Sequence, residues 1–256
     1  MTGKTHRMGG MLMSVVGFEM LRRNGLLMAD VNEAIQWLAI FPFCYWGSTA
    51  SDHDQNWESC PSRDPISWGL HKALHITEPL YTTLNGRLTG KQKRTSFTYK
   101  FARAFNARHR SWQTHSDLTL IAILYLLHLV MTGQVPMLSD KDMLIATPIL
   151  TGLCLGIASH LLLDMLTPEG VWCSITVLLN KFIFKGKLPH WMEKWHFVPN
   201  WKVFHTGSSW EEFVYKVLKV LTYLAFIYLV LTIFFADHIN SLMSLIPYRV
   251  EFTNPV

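Results

Sequence analysis

MLIATPILTGLCLGIASHLLLDML, residues 143–166, decides how this chain is read. At about 1.5 Å per residue, a helix of that length crosses a hydrocarbon core of about 30 Å. The run carries an imidazole and a carboxylate, His160 and Asp164, four residues apart. On a helix, positions i and i+4 project to one side, as two metal ligands on a helix must. Burying such a pair near lipid costs several kcal/mol unless something compensates, so an intramembrane His and Asp marks a candidate functional site.

Working outward, residues 118–135 (LTLIAILYLLHLVMTGQV) and 217–236 (VLKVLTYLAFIYLVLTIFFA) also read as spanning helices, the latter with Lys219 placed to snorkel to the interface. Two weaker apolar stretches, 8–21 and 34–50, read as short, tilted or re-entrant segments. Half of the residues are apolar and they are gathered into runs, which argues against a soluble domain. The expected fold is an all-α, polytopic integral membrane helix bundle of about five segments with amphipathic interfacial helices, a single domain over 1–256. Lys4 and Arg7 precede an apolar stretch as in a signal peptide, but Glu19 interrupts it and no small-residue cleavage site follows promptly, so the segment is read as retained. Cys44, Cys60, Cys154 and Cys173 have neither CxxC nor disulfide-like spacing, and there is no dinucleotide or P-loop pattern.

Lys and Arg set the sidedness. Ten of them lie between Arg63 and Arg110, and Lys181, Lys185, Lys187, Lys194 and Lys202 follow the fourth segment, whereas beyond the second segment the opposite-side connections hold only Lys141 and Arg249. Residues 51–117 and 167–216 are therefore expected to be cytoplasmic loops, with the amino terminus inside, the 217–236 helix as an additional C-terminal crossing and the carboxyl terminus outside. KQKRTSFTYKFARAF reads as an interfacial amphipathic helix with Phe97, Phe101 and Phe105 on one face, so membrane lipid is the expected partner and nucleic acid is not.

The charge-based topology used no His or Asp, yet it puts His6, the Asp52/His53/Asp54 cluster, His109, His115 and the His160/Asp164 turn at one membrane face. Imidazoles and carboxylates together suit Zn, Mn or Fe in hydrolytic centres, where the metal lowers the pKa of a bound water. The bland alternatives are a hydrogen-bonded pair locking two helices for His160 and Asp164, a mobile terminus for His6, and helix capping for Asp54, Thr114, Ser116 or Asp117. His71 and His75 form a competing i, i+4 pair, His128 lies mid-helix at the wrong depth, and His190, His196 and His205 surround a Trp-rich loop that reads as an interfacial belt.

The combination KTHRMGG, SDHDQN, HRSWQTHS and SHLLLDMLTPEGV, spanning His6 to Val171, resembles the bacterial inner-membrane proteins described as membrane-bound metal-dependent hydrolases, the YdjM-like family. That resemblance implies metal-related roles for His6, Asp52, Asp54, His109, His115, His160 and Asp164, and a divalent metal cofactor, Zn first with Mn or Fe as alternatives, as one or two ions. Two departures stand out: relatives read D-I-D-H where this chain has Asp52, His53, Asp54 and Gln55, and HRGxTHS where Ser111 replaces the Gly and one further residue separates His109 from His115. The expected activity is hydrolysis by a metal-bound hydroxide at the cytoplasmic face of the inner membrane, with Asp164, Asp54 or Asp52 as base and a phosphoester, small-molecule or lipid-linked, as substrate. A structural metal site or a transporter is the competing expectation.

Overall fold

The computed structural model of the chain describes residues 2–29, 31–54, 58, 60, 64–105, 114–195 and 206–235. In chain order these form α1 (Gly3–Arg23), α2 (Glu33–Ala50), a 3-10 turn (Ser51–Asp54), α3 (Pro65–Leu74), α4 (Glu78–Arg87), α5 (Gly90–Thr95), α6 (Phe97–Phe105), α7 (Asp117–Met131), α8 (Asp140–Asp164), α9 (Ser174–Phe182) and α10 (Ser209–Phe234). A second 3-10 turn covers His190–Glu193, and the extended pieces are β1 (Val171–Trp172) and β2 (Lys194–Trp195), which pair antiparallel.

Backbone contact between α2 and α8 organises the bundle. A Cβ on Gly152 would lie 2.5 Å from the carbonyl oxygen of Ile40, and one on Gly156 would lie 2.3 Å from that of Cys44. No other residue type fits there, so Gly152 and Gly156 form a small-xxx-small stripe that lets two backbones touch. The matched steps, 152 to 156 against 40 to 44, make the two helices parallel. Two further turns along the same stripe come His160 and Asp164, so the close approach is also what drives this pair against the end of α2.

Around this pair, α1 packs on both helices, α7 on α8, and α10 on α1. Val15, Phe18, Ile40 and Leu229 form one buried apolar cluster, and Ile157, Leu161 and Val171 a second. The ends of α2 and α8 and the starts of α1, α7 and α10 thereby share one end of the bundle.

Helix ends depart from the sequence expectation in two places. α7 stops at Met131, where Gly133 (φ 66°) accepts the left-handed conformation while Gln134 N–H donates to Leu129 O and Gly133 N–H to Val130 O. Its 15 residues reach about 22 Å, short of a bilayer core of about 30 Å. The expected single helix KQKRTSFTYKFARAF is divided at Ser96, which ends α5 and whose hydroxyl receives the Tyr99 N–H of α6. Tyr99 and Ala102 face inward while Phe97 and Phe101 are exposed with stacked rings. Among the described residues two helices are long and apolar enough to cross a membrane, α8 and α10.

Candidate metal centre

Each candidate side chain is delivered by a local device. His6 lies in the second turn of α1, whose start is tied to α10 through Glu211: this carboxylate receives the Thr2 N–H, the Thr2 hydroxyl at 2.7 Å, the Thr5 hydroxyl at 2.8 Å and the Gly207 N–H at 2.6 Å. Asp52 and Asp54 sit on the 3-10 turn that continues α2 past a last helical turn of small buried residues, Ser48, Thr49 and Ala50. His115 precedes α7, and its carbonyl receives the Trp172 N–H at 2.9 Å. That contact depends on how the chain leaves α8: the Thr167 hydroxyl closes onto Asp164 O at 2.8 Å, Gly170 takes φ 59°, and β1 then returns alongside Ser116.

Four atoms converge there. His160 Nε2 lies 3.2 Å from His115 Nε2, 3.3 Å from Asp164 Oδ2 and 3.9 Å from Asp52 Oδ1. His115 Nε2 lies 3.5 Å from Asp164 Oδ2 and 3.6 Å from Asp52 Oδ1. His6 joins from the side, with Nε2 3.5 Å from Asp164 Oδ1 and its ring stacked on His160 at 3.9 Å between centroids. All five side chains are buried, from 0% exposure at His160 to 6% at Asp52. The His6 Nδ1 finds no hydrogen-bond partner among the described residues.

The flanking hydrogen bonds fix which ring nitrogens carry protons. His160 Nδ1 is 2.7 Å from the carbonyl of Ser48, which can only accept, so Nδ1 donates and Nε2 presents a lone pair. The Thr114 hydroxyl gives its one proton to Asp54 Oδ2 and lies 3.0 Å from His115 Nδ1, with Asp54 Oδ2 3.4 Å from that nitrogen. His115 Nδ1 therefore donates as well, so its Nε2 is the nitrogen that faces the centre and would give up its proton to a metal ion. Two imidazole Nε2 atoms and two carboxylate oxygens thus face one another, an arrangement that attracts positive charge, as a proton or as a metal ion.

Spacing distinguishes the kinds of cation. Charge-assisted hydrogen bonds contract to roughly 2.7–2.9 Å, whereas ligands held about 2.0–2.1 Å from one tetrahedral ion stand about 3.3 Å apart. The observed separations of 3.2–3.9 Å match the second pattern, and the groups His6/His160/Asp164 and Asp52/His115/His160 could hold a metal ion. The electrostatics show a centre that attracts positive charge. Burial alone would make the His115 imidazole a weaker base, but Asp52 and Asp54 beside it, and the charge of Asp164, push it up to about 9. Burial would likewise raise the Asp52 carboxyl, yet His160 and His115 hold it below the ordinary carboxylate range.

Asp54 faces the outer nitrogen of His115 and is absent from the two metal-competent groups, so it buttresses His115 while Asp52 faces the centre. His109 lies outside the described residues, as do His196, Trp201 and His205. His53 turns Nδ1 back onto the carbonyls of Thr49 and Ala50. His71 Nδ1 lies 3.0 Å from the carbonyl of His53, docking α3 against the 3-10 turn, and His75 Nδ1 sits on the His71 carbonyl at 2.9 Å. His128 is exposed in the last turn of α7, at the opposite end of that helix from His115. Of the capping candidates, Ser116 occupies the N-cap of α7 without a side-chain cap bond, Thr114 binds Asp54, and the Asp117 carboxylate receives the Ser174 N–H at 2.8 Å.

Sequence reasoning missed Glu211, the glycine stripe and the Ser48 carbonyl. The first two had signals, an acid three residues after a Ser N-cap and the GLCLG spacing; a backbone acceptor has none. Neither a protein-family profile, nor a curated protein, nor a solved structure matches the chain, so its assignment rests on the geometry above.

Proposed function

We propose that this chain is a membrane-embedded, metal-dependent hydrolase acting on phosphoesters, as its resemblance to the YdjM-like proteins implies. The observation that carries the reading is the convergence of His115 Nε2 and His160 Nε2 on Asp52 Oδ1 and Asp164 Oδ2, each imidazole nitrogen 3.3–3.9 Å from both carboxylates, with two overlapping His/Asp triads that could hold a metal ion. A single ion is favoured over two because both metal-competent groups draw on His160, whose other nitrogen is committed to Ser48. Two carboxylates and two neutral imidazoles balance a divalent charge, and this donor set suits Zn, with Mn or Fe next. Structural zinc sites favour Cys, which is not in this set.

When bound, such an ion supplies Lewis acidity and a water that ionises near neutral pH. The chain's own residues do the rest. Thr114 and Asp54 hold the tautomer of His115, and Ser48 holds that of His160. Asp164 turns one oxygen to the centre and the other to His6, so this pair is placed to take the proton of an attacking water. Water adds to phosphorus as that pair takes its proton, the ester P–O bond breaks, and the pair would return the proton to the departing alkoxide.

Membrane insertion is supported by the surface. Only 11% of the apolar window of α10 is buried, and Ile121, Leu124, Tyr125 and Leu126 of α7 are exposed too, apolar surface that water would not readily tolerate. With α1, α2 and the short α7 as further segments, the site lies at the basic, cytoplasmic end of a five-segment bundle. Purified protein is expected to hydrolyse p-nitrophenyl phosphate or bis-p-nitrophenyl phosphate, to lose activity on chelation and to regain it with Zn or Mn. The near-complete burial of all five side chains favours one rival, a structural metal. Metal retained stoichiometrically with no turnover of either ester selects that rival.

A further inference from the structure

Beside the metal centre runs an apolar cleft of about 210 Å³, walled by Leu12, Met13 and Val16 of α1, Leu162 and Leu163 of α8, and Leu218 of α10, with Gly9 and Ser159 at its floor. It is larger than the roughly 150 Å³ apolar cavity that accommodates benzene. We infer that this cleft receives the hydrocarbon chain of a membrane phosphoester lipid and seats its headgroup at the metal centre; this rests on the hydrolase reading above.

Continuity with the site is the first argument. His6, Gly9, Met13 and Val16 fall at i, i+3, i+7 and i+10, one face of α1, so the cleft begins one turn beyond His6. On α8 the cleft residues Ser159 and Leu163 are the chain neighbours of His160 and Asp164. The second argument is chemical. The hydroxyl of Ser159 is turned onto its own helix, donating to Gly156 O at 2.9 Å, so the cleft asks for a ligand without polar atoms. The third is access: Val16 and Leu162, on its rim, are 43% and 41% exposed, so the cleft opens at the surface of the bundle. The cleft is lined by apolar side chains, Gly9 and the turned-in Ser159, so a hydrocarbon chain entering from the bilayer would meet no charged group in it.

The test uses the full chain, metal-loaded, in phosphatidylethanolamine/phosphatidylglycerol vesicles doped with phosphatidic acid bearing a diazirine on its acyl chain. Mass spectrometry after photolysis is expected to find residues 9–16 and 162–163 labelled severalfold more than the lipid-facing residues 121–125 of α7. Leu162→Trp and Val16→Trp, which fill the cleft from its exposed rim, should each abolish that excess while leaving metal content and helicity unchanged. Labelling no greater than that of α7, or unaffected by either Trp, overturns the inference. So does disulfide trapping of cysteines placed in the cleft between two copies of the chain, which would make a second copy the occupant. The underlying hydrolase reading fails separately: preferential labelling without turnover of any ester leaves the cleft assigned and removes catalysis. Turnover of p-nitrophenyl phosphate with uniform labelling does the reverse.

Discussion

α8 and α10 are of nearly equal length and both are apolar enough to span a bilayer, yet 44% of the apolar window of α8 is buried against 11% of that of α10. The difference is not hydrophobicity. α8 carries Gly152 and Gly156, which admit the backbone of α2, followed along the same face by His160 and Asp164. α10 presents Val220, Leu224 and Ile227 outward and contributes its one buried carboxylate, Glu211, before its apolar run begins. In a bundle without a hydrophobic drive between helices, small residues decide which helix is central, and polar groups are retained where a neighbour satisfies them.

The sharpest way to break this contrast is Gly156→Val. Its Cβ would fall 2.3 Å from Cys44 O and 2.8 Å from Ser48 N, both backbone atoms that cannot step aside. The expected cost is about 3 kcal/mol or more, with bound metal lost, read by denaturation in detergent together with metal analysis. Stability within about 1 kcal/mol of the parent would remove the glycine stripe as the organiser of α2 and α8.

Thr114→Val comes next. It removes the hydroxyl that bonds Asp54 and accepts from His115 Nδ1, while leaving all converging atoms in place. Metal affinity should fall about 10- to 100-fold, measured by competition with a chelating dye, with little change in melting. An unchanged affinity would mean that the tautomer of His115 is set elsewhere.

Glu211 tests the α10 side through pH. Burial would raise its carboxyl, but the hydrogen bonds from Thr2, Gly207 and Thr5 bring it down to about 2 from an ordinary 4.5. A carboxyl lowered in the folded state stabilises above its unfolded value and loses that contribution as pH falls, here through the range from about 4.5 to about 2. The melting temperature of the parent should decline across that window, while Glu211→Gln should melt lower at pH 7 and show a shallower decline. Parallel pH profiles would show that Glu211 does not anchor α1. Smallest of all is Leu224→Ala on the outward face of α10, expected within about 0.5 kcal/mol in detergent.

The residues themselves explain what could be read in advance. Helical runs and the His/Asp inventory are written in residue types and spacings, so the existence of α1, α2, α7, α8 and α10 and the interest of His160 and Asp164 were legible. The division of labour between Asp52 and Asp54 was not: D-x-D on an irregular turn aims its carboxylates by backbone geometry, and only the position of Thr114 separates them. The length of α7 was overread because the expected run was carried across Thr132, Gly133 and Gln134 to Val135, whereas the helix yields to the left-handed conformation that Gly133 permits. The support of His115 by Trp172, and of His160 by the Ser48 carbonyl, lies in backbone groups that every residue carries, which leaves no compositional trace.

The central claim is that atoms from the 3-10 turn after α2, from the segment before α7 and from α8 hold one cation, and metal content of the purified protein tests it most directly. Inductively coupled plasma mass spectrometry of protein purified without chelators should find close to one equivalent of Zn, Mn or Fe. His160→Ala and His115→Ala should each remove it while the helical circular dichroism is retained. A metal-free parent that binds none of these ions on titration, or variants that keep the full equivalent, would contradict the account.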